Sequence, residues 1–213
     1  MRTLLVTWIY PPKEGGLETL LCHLVHYLSA AMEVQVIGPY TAPPRSSADR
    51  VIRPGRAGLP GFALHAIRAG ALQLRRQRYD VILAGSALVV PVARLLGACF
   101  QVPVVALVHG LDLVYPQPLY QRLLRTLLPT CRRVVAVSQA TGEAARQRGV
   151  APERLVILPP GITYAEFASV PDVETVRQAY DLTGRLVLLS AGRLVRRKGV
   201  LEFIAAALPA IVT

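Results

Sequence analysis

From Thr3 onward, short strand-like runs alternate with segments of helical periodicity, and few folds accept that alternation. TLLVTW (Thr3–Trp8) leads into a glycine-bearing loop, IYPPKEGG (Ile9–Gly16). Leu17–Ala31 follows, with Leu17, Leu20, Leu21, Leu24 and Leu28 along one helical face. EVQVIG (Glu33–Gly38) then alternates and stops at Pro39. Strand, glycine-rich turn, helix and strand make a βαβ unit, the signature of a doubly wound parallel sheet with helices on both faces. The alternation continues. A short strand is expected at Val51–Arg53, and Pro60 opens a helix over Gly61–Gln77 with Leu64, Ile67, Ala71 and Leu74 inward. Strands are expected at Val81–Ala84, Val104–Val108, Arg133–Val137 and Leu155–Leu158. Helices precede and follow them through Leu96, over Gln117–Leu128, and from an N-cap at Ser138 to Gly149.

With 213 residues, 53% of them hydrophobic, the chain has material for one good core and the start of another. Ala87–Val108 is apolar enough to suggest a membrane span. Pro91, Arg94, Gln101 and Pro103 favour a core helix followed by a core strand. Cys22, Cys99 and Cys131 lie far apart with no C-x-x-C, as expected of reduced, buried thiols in a cytoplasmic protein. The net charge of +11 is almost entirely arginine and suits an anionic partner. No recognition motif or aromatic platform accompanies it, so a nucleic-acid partner is not expected. The only lysines are Lys13 and Lys198, each in a loop that could face phosphate.

Three stretches carry candidate chemistry. LVLLSAGRLVRRKG (Leu186–Gly199) reads as a buried strand that breaks at a glycine turn, presents Arg193, Arg196, Arg197 and Lys198, and restarts as a helix. Cations, glycine amides and a helix N-terminus facing one spot suit a phosphate; the bland alternative is a solvated basic turn. His109-Gly110-Leu111-Asp112 follows the Val104–Val108 strand, at the edge where open α/β sheets bind ligands. A loop histidine with an aspartate cap fits the same residues. Gly15-Gly16 is either a plain turn or a place for backbone amides to approach a ligand closely. The helix at 117–128 has a broad apolar stripe, with Arg122 and Arg125 beside it. It fits core packing with a basic edge, or a membrane-surface helix.

Four ordered motifs resemble retaining GT-B glycosyltransferases of family 4. They are Pro11-Pro12…Gly15-Gly16…Glu18, His109-Gly110…Asp112, Pro159-Pro160-Gly161, and Gly192-Arg193-Leu194…Lys198-Gly199. The resemblance implies a Rossmann-like acceptor-side domain over 1–162, a connector over 163–184, and the first strand and helix of a truncated nucleotide-sugar domain over 185–213. It implies His109 and Asp112 as catalytic residues, with His109 against the donor sugar. Gly16, Arg193 and Lys198 would hold the donor diphosphate, and Gly15 and Glu18 would form the acceptor-side loop. The expected substrates are a UDP- or GDP-type nucleotide sugar and a sugar or lipid-linked acceptor, with no cofactor or metal. That places the activity in cell-envelope, polysaccharide or glycolipid synthesis, in the cytoplasm or at the inner face of the membrane. The family's E-x7-E pair belongs after Gly199; Glu166 and Glu174 have that spacing but precede it. The chain is therefore expected to be inactive alone and to pair through 185–213 with a second copy. A non-catalytic sugar- or lipid-binding module is the alternative.

Overall fold

The computed structural model describes residues 1–11, 15–39, 51–53, 58–162, 172–192 and 194–212. Lys13, Glu166, Arg193 and most of the proline- and arginine-rich loop after Pro39 lie outside them. The chain divides into two compact units, Met1–Gly161 and Ile162–Thr213.

The first unit is one seven-stranded sheet. Its strands are β1 (Arg2–Val6), β2 (Glu33–Ile37), β3 (Val51–Ile52), β4 (Val81–Ala84), β5 (Val104–Val108), β6 (Arg133–Ala136) and β7 (Leu155–Ile157). They lie in the order β3-β2-β1-β4-β5-β6-β7, and every pairing is parallel. The chain winds outward from β1 in one direction and from β4 in the other, so the switch point lies between these two strands. Leu4 sits between Gln35 and Ile82, which fixes the register across the centre.

Side-chain alternation divides the core in two. Leu4, Val6, Ile82, Ala84, Val104, Ala106 and Val108 point to one face, and Leu5, Leu83 and Leu107 to the other. The second face is covered by α1 (Gly16–Ser29), chiefly through fully buried Leu21. The first face packs against α2 (Leu59–Arg76), α3 (Val90–Phe100), α5 (Pro118–Leu127) and α6 (Gln139–Arg146). The short α4 (Leu111–Val114) contributes Leu113 to the same face. Each fully buried leucine of this kind stabilises the unit by roughly 1.5–3 kcal/mol.

The inward face of α2 follows the sequence expectation at Ile67, Ala71 and Leu74, which pack against the core, and departs from it at Leu64. Phe62, Ala66 and Gly70 are buried, whereas Leu64 is half exposed. A Cβ on Gly70 would lie 2.5 Å from Leu96 Cδ1, so α2 approaches α3 closely at Gly70, and the helical phase that buries Phe62, Ala66 and Gly70 turns Leu64 outward. Between Ala87 and Val108 the chain makes a 3-10 turn, then α3, then β5. Gln101 ends α3 in the left-handed region (φ 54°), and the chain reverses tightly over Gly97, where a Cβ would lie 2.8 Å from the Val102 carbonyl oxygen. Among the described residues no helix is long and apolar enough to cross a membrane. All three cysteines are free; Cys131 is buried and Cys22 partly so, but Cys99, on the outer side of α3, is exposed against expectation.

In the second unit α7 (Val173–Ala179) is capped by Asp172, whose carboxylate accepts the Thr175 N–H at 3.2 Å. A 3-10 turn, Arg196–Lys198, ends at Gly199 in the left-handed region (φ 68°). Helix α8 (Val200–Glu202) then runs through a π turn at Phe203–Ala207 into α9 (Leu208–Val212). The helix after Gly199 follows the sequence expectation; the buried strand before it does not. Leu186, Val187, Leu188 and Leu189 pair with no strand and are exposed by 79%, 43%, 51% and 88%. An extended segment becomes a strand only when neighbours complete its hydrogen-bond ladder, and none among the described residues does so here.

Candidate functional site

Three strands of the first unit end side by side at the carboxyl edge: β1 at Thr7, β4 at Gly85-Ser86 and β5 at His109. The β1 and β4 ends are locked together. Gly85 N–H donates to the Val6 carbonyl at 2.8 Å, and a Cβ on Gly85 would lie 2.7 Å from Thr7 Cβ and Oγ1. Only glycine fits that approach. Thr7 Oγ1 in turn donates to the Ile9 carbonyl (2.7 Å) and accepts the Ile9 N–H (3.0 Å), which sets the exit of the chain into the glycine loop.

His109 joins this edge through its ring. Its Nε2 lies 2.8 Å from the Gly85 carbonyl oxygen, and a carbonyl can only accept, so Nε2 carries the proton. In the neutral ring Nδ1 is then the acceptor, and it is buried with no hydrogen-bond partner among the described residues. Ser86 Oγ, one residue beyond that carbonyl, is likewise buried and unpartnered. Two orphaned polar atoms at a strand-end crevice are what a polar ligand would satisfy.

Asp112 links two loops at this edge. Its carboxylate accepts the His109 N–H (2.9 Å) and, across the edge, the Ala87 N–H (2.8 Å). It therefore joins the loop after β5 to the turn after β4, and it positions His109 by engaging the main chain. Gly110, between them, has φ 91°, a conformation that disfavours any side chain.

Helix α5 holds the loop from outside. Gln117 caps it by accepting the Tyr120 N–H at 2.5 Å. Tyr120 OH donates to the Asp112 carbonyl (2.6 Å), and Gln121 Nε2 donates to the carbonyls of Leu113 (2.7 Å) and Tyr115 (2.8 Å). Burial, aided by the nearby Asp112 charge, pushes the Tyr120 hydroxyl well above the usual phenol range, so it remains a donor. Arg148 Nε donates to Gln121 Oε1 at 3.2 Å and completes the support. The inward line of α5 is Tyr120, Leu124 and Leu128; Leu119 (62%) and Leu123 (39%) are exposed together with Arg122 and Arg125.

The glycine loop approaches the start of α1. Gly15 is extended, and the Glu18 carboxylate folds back over the position a Gly15 Cβ would occupy. Gly16 opens the helix with nothing within 4 Å of its missing side chain, which leaves room above the helix N-terminus. In the second unit the Lys198 stem lies against the Gly192 turn, its Cε 4.0 Å from the position of a Gly192 Cβ. Among the described residues no cluster of three or more His, Cys, Asp or Glu is placed to hold a metal ion. The residues the sequence did not single out are Thr7, Gly85, Ser86, Tyr120 and Gln121. Their one visible trace was the small-residue step Ala84-Gly85-Ser86 at the end of an apolar run.

The seven-stranded parallel sheet has the fold of the amino-terminal part of GT-B proteins. Residues 14–166 match Glycosyltransferase Family 4, and the chain belongs to that family. It is 30% identical to a GDP-mannose-dependent alpha-(1-6)-phosphatidylinositol monomannoside mannosyltransferase of Mycobacterium tuberculosis, covering 99% of this chain and 57% of that protein. Its counterpart in Mycolicibacterium smegmatis is 30% identical over 92% of this chain and 54% of its own length. The chain thus spans little more than half the length of these relatives. In fold it is similar to sucrose-phosphate synthase from Thermosynechococcus elongatus (TM-score 0.76, 19% identity, 97% of this chain and 59% of that one). It is also similar to Anabaena Alr3699/HepE in complex with UDP (TM-score 0.71, 20% identity, 97% and 57%).

Proposed function

We propose that this chain is the acceptor-side half, with the opening of the donor-side half, of a hexosyltransferase that moves a sugar from a nucleotide diphosphate sugar with retention of configuration. The observation that carries the reading is His109. Its Nε2 is fixed by the Gly85 carbonyl and its main chain by Asp112, so a buried Nδ1, unpartnered among the described residues, is held at the switch-point edge. His109 is the catalytic-side residue in contact with the donor sugar; Asp112 positions it. Gly15, Gly16 and Glu18 form the acceptor-side loop, with Gly16 open to the diphosphate. Lys198, with Arg193, stabilises the leaving diphosphate, aided by the N-terminus of the helix that starts at Val200.

The mycobacterial relatives make GDP-mannose the first donor to try and a phosphoinositide glycolipid the first acceptor. Exposed Leu119 and Leu123 beside Arg122 and Arg125 support peripheral contact of 117–128 with an anionic membrane surface, which suits a lipid-linked acceptor at the cytoplasmic face. Exposed Leu186, Leu189 and Leu201 support self-association through 185–213, and sedimentation at micromolar concentration reads it out. Residues 185–213 are the opening of the nucleotide-sugar domain. The activity is tested by transfer of labelled mannose from GDP-mannose to the glycolipid, using this chain joined to the donor half of the mycobacterial enzyme. Transfer that disappears in His109→Ala is the expected result. Transfer that is indifferent to His109 would refute its role.

A further inference from the structure

At the opposite edge of the first unit, below the amino ends of β5 and β6, lies a cavity of about 440 Å³. It is lined by Arg94, Arg132, Arg133 and Arg154, with Pro103 and Thr130 at its walls and Glu153 as its one acidic group. Local structure brings these arginines together. Arg132 N–H donates to the Val104 carbonyl at 2.7 Å, which starts β6 and sets Arg132-Arg133 beside β5. Arg154, just before β7, donates from a terminal guanidinium nitrogen to the Pro129 carbonyl at 2.8 Å. Arg94 reaches in from α3.

Among the described residues no carboxylate lies within ion-pair distance of any of the four guanidinium groups, Glu153 included. Arg94 Nε is buried and has no hydrogen-bond partner among the described residues. Like charges gathered around one cavity repel, and an anion in the cavity would relieve that repulsion and satisfy the orphaned donor. Each guanidinium is a planar fork of five N–H donors, which matches the oxygens of a phosphate two at a time. The volume falls in the range of small-molecule pockets, roughly 300–1,000 Å³, and so accommodates more than a single phosphate.

We propose that this cavity is a second anion site, remote from the His109 edge, that binds a pyrophosphate or phosphate-ester group, whether free in solution or on an acidic phospholipid headgroup. It is independent of the catalytic reading.

The test is titration of the 213-residue chain with pyrophosphate at fixed ionic strength, followed by calorimetry. In Arg94→Gln/Arg154→Gln the affinity is expected to fall by about tenfold or more. Arg132→Gln/Arg133→Gln, which alters only exposed side chains, should weaken binding in the same way with ligand-free thermal unfolding unchanged. Arg75→Gln/Arg76→Gln removes the same charge from the end of α2 and should leave binding intact. Equal affinity in the parent and both cavity variants overturns the site. So does equal weakening in the α2 variant, because binding then follows net charge alone. Flotation with phosphatidate-containing vesicles identifies the source. Vesicle binding lost in the cavity variants assigns the headgroup, and vesicle binding retained while pyrophosphate binding is lost assigns a soluble phosphate.

Discussion

β5 (Val104–Val108) and the run Leu186–Leu189 carry the same kind of side chain and meet opposite fates. β5 pairs with β4 on one side and β6 on the other, and its Val104, Ala106 and Val108 are fully buried. Leu186–Leu189 pairs with nothing among the described residues, and Leu189 is 88% exposed. The glycine turns that follow differ in the same way. Beyond β5, the His109 ring is held by the Gly85 carbonyl, the Asp112 carboxylate by the Ala87 N–H and the Asp112 carbonyl by Tyr120. Beyond Leu189, Lys198 lies in a 3-10 turn (Arg196–Lys198) closed by left-handed Gly199, and among the described residues its N–H donates only to the Val195 carbonyl just before that turn. Apolar content makes a segment able to be a strand; neighbours make it one. A loop resting on a completed sheet is preorganised, whereas one attached to an unpaired run has its local turn and little else.

The contrast can be broken most directly by truncating one leucine in each region. Leu4→Ala in the central strand is expected to cost about 2–5 kcal/mol in urea unfolding, because Leu4 is fully buried between two strands. Leu188→Ala should stay within about 0.5 kcal/mol where the chain is dilute enough to be monomeric, and cost more at concentrations where it self-associates. A comparable loss at both positions would show that the second run is covered in solution, as self-association requires.

The next effect is on activity. In the chimeric enzyme, Lys198→Ala should remove about 2–4 kcal/mol of transition-state stabilisation, read as kcat/KM, while leaving the unfolding midpoint of the first unit in place. Unchanged kcat/KM would refute the role of Lys198 at the diphosphate.

Alkaline pH should separate the two regions as well. Burial pushes the Cys131 thiol up to about 11, so its neutral form is favoured in the folded state. A raised acid contributes its full stability below the unfolded pKa of 9.0 and loses it as pH rises through the folded value. The first unit should therefore lose up to about 2–3 kcal/mol between pH 9 and pH 11. Cys131→Ala should flatten that slope, and a slope equal to the parent's would show that the thiol is not responsible. Buried Tyr120 acts in the same direction and supplies any slope that remains.

The smallest expected effect distinguishes positioning from contact. Asp112→Ala leaves the N–H groups of His109 and Ala87 without their acceptor and should cost about 1–3 kcal/mol of stability. Asp112→Asn keeps one acceptor oxygen and should restore part of both stability and turnover. No rescue by asparagine, with stability unchanged in both variants, would mean that the carboxylate acts on substrate instead.

Sequence periodicity by itself determined the α/β alternation, the parallel winding and most element positions, because strand and helix periods are local properties of the chain. β5, the Ser138 cap (Thr141 N–H to Ser138 Oγ, 3.2 Å) and left-handed Gly149 all stand where the pattern placed them. It also marked His109 and Asp112 by their place after a strand. The tertiary structure alone decided which line of α5 faces inward, that Gly70 and not Leu64 is buried on α2, and that Asp112 braces the main chain. Only there do Thr7, Gly85 and Ser86 come to flank a histidine more than twenty residues away in sequence. The physical reason is common to all of these: they depend on which strands lie side by side and how closely two backbones approach. Those are distances between residues far apart in the chain, and no local pattern encodes them. Leu186–Leu189 makes the same point from the other direction, since its pattern specified a strand and no strand among the described residues pairs with it.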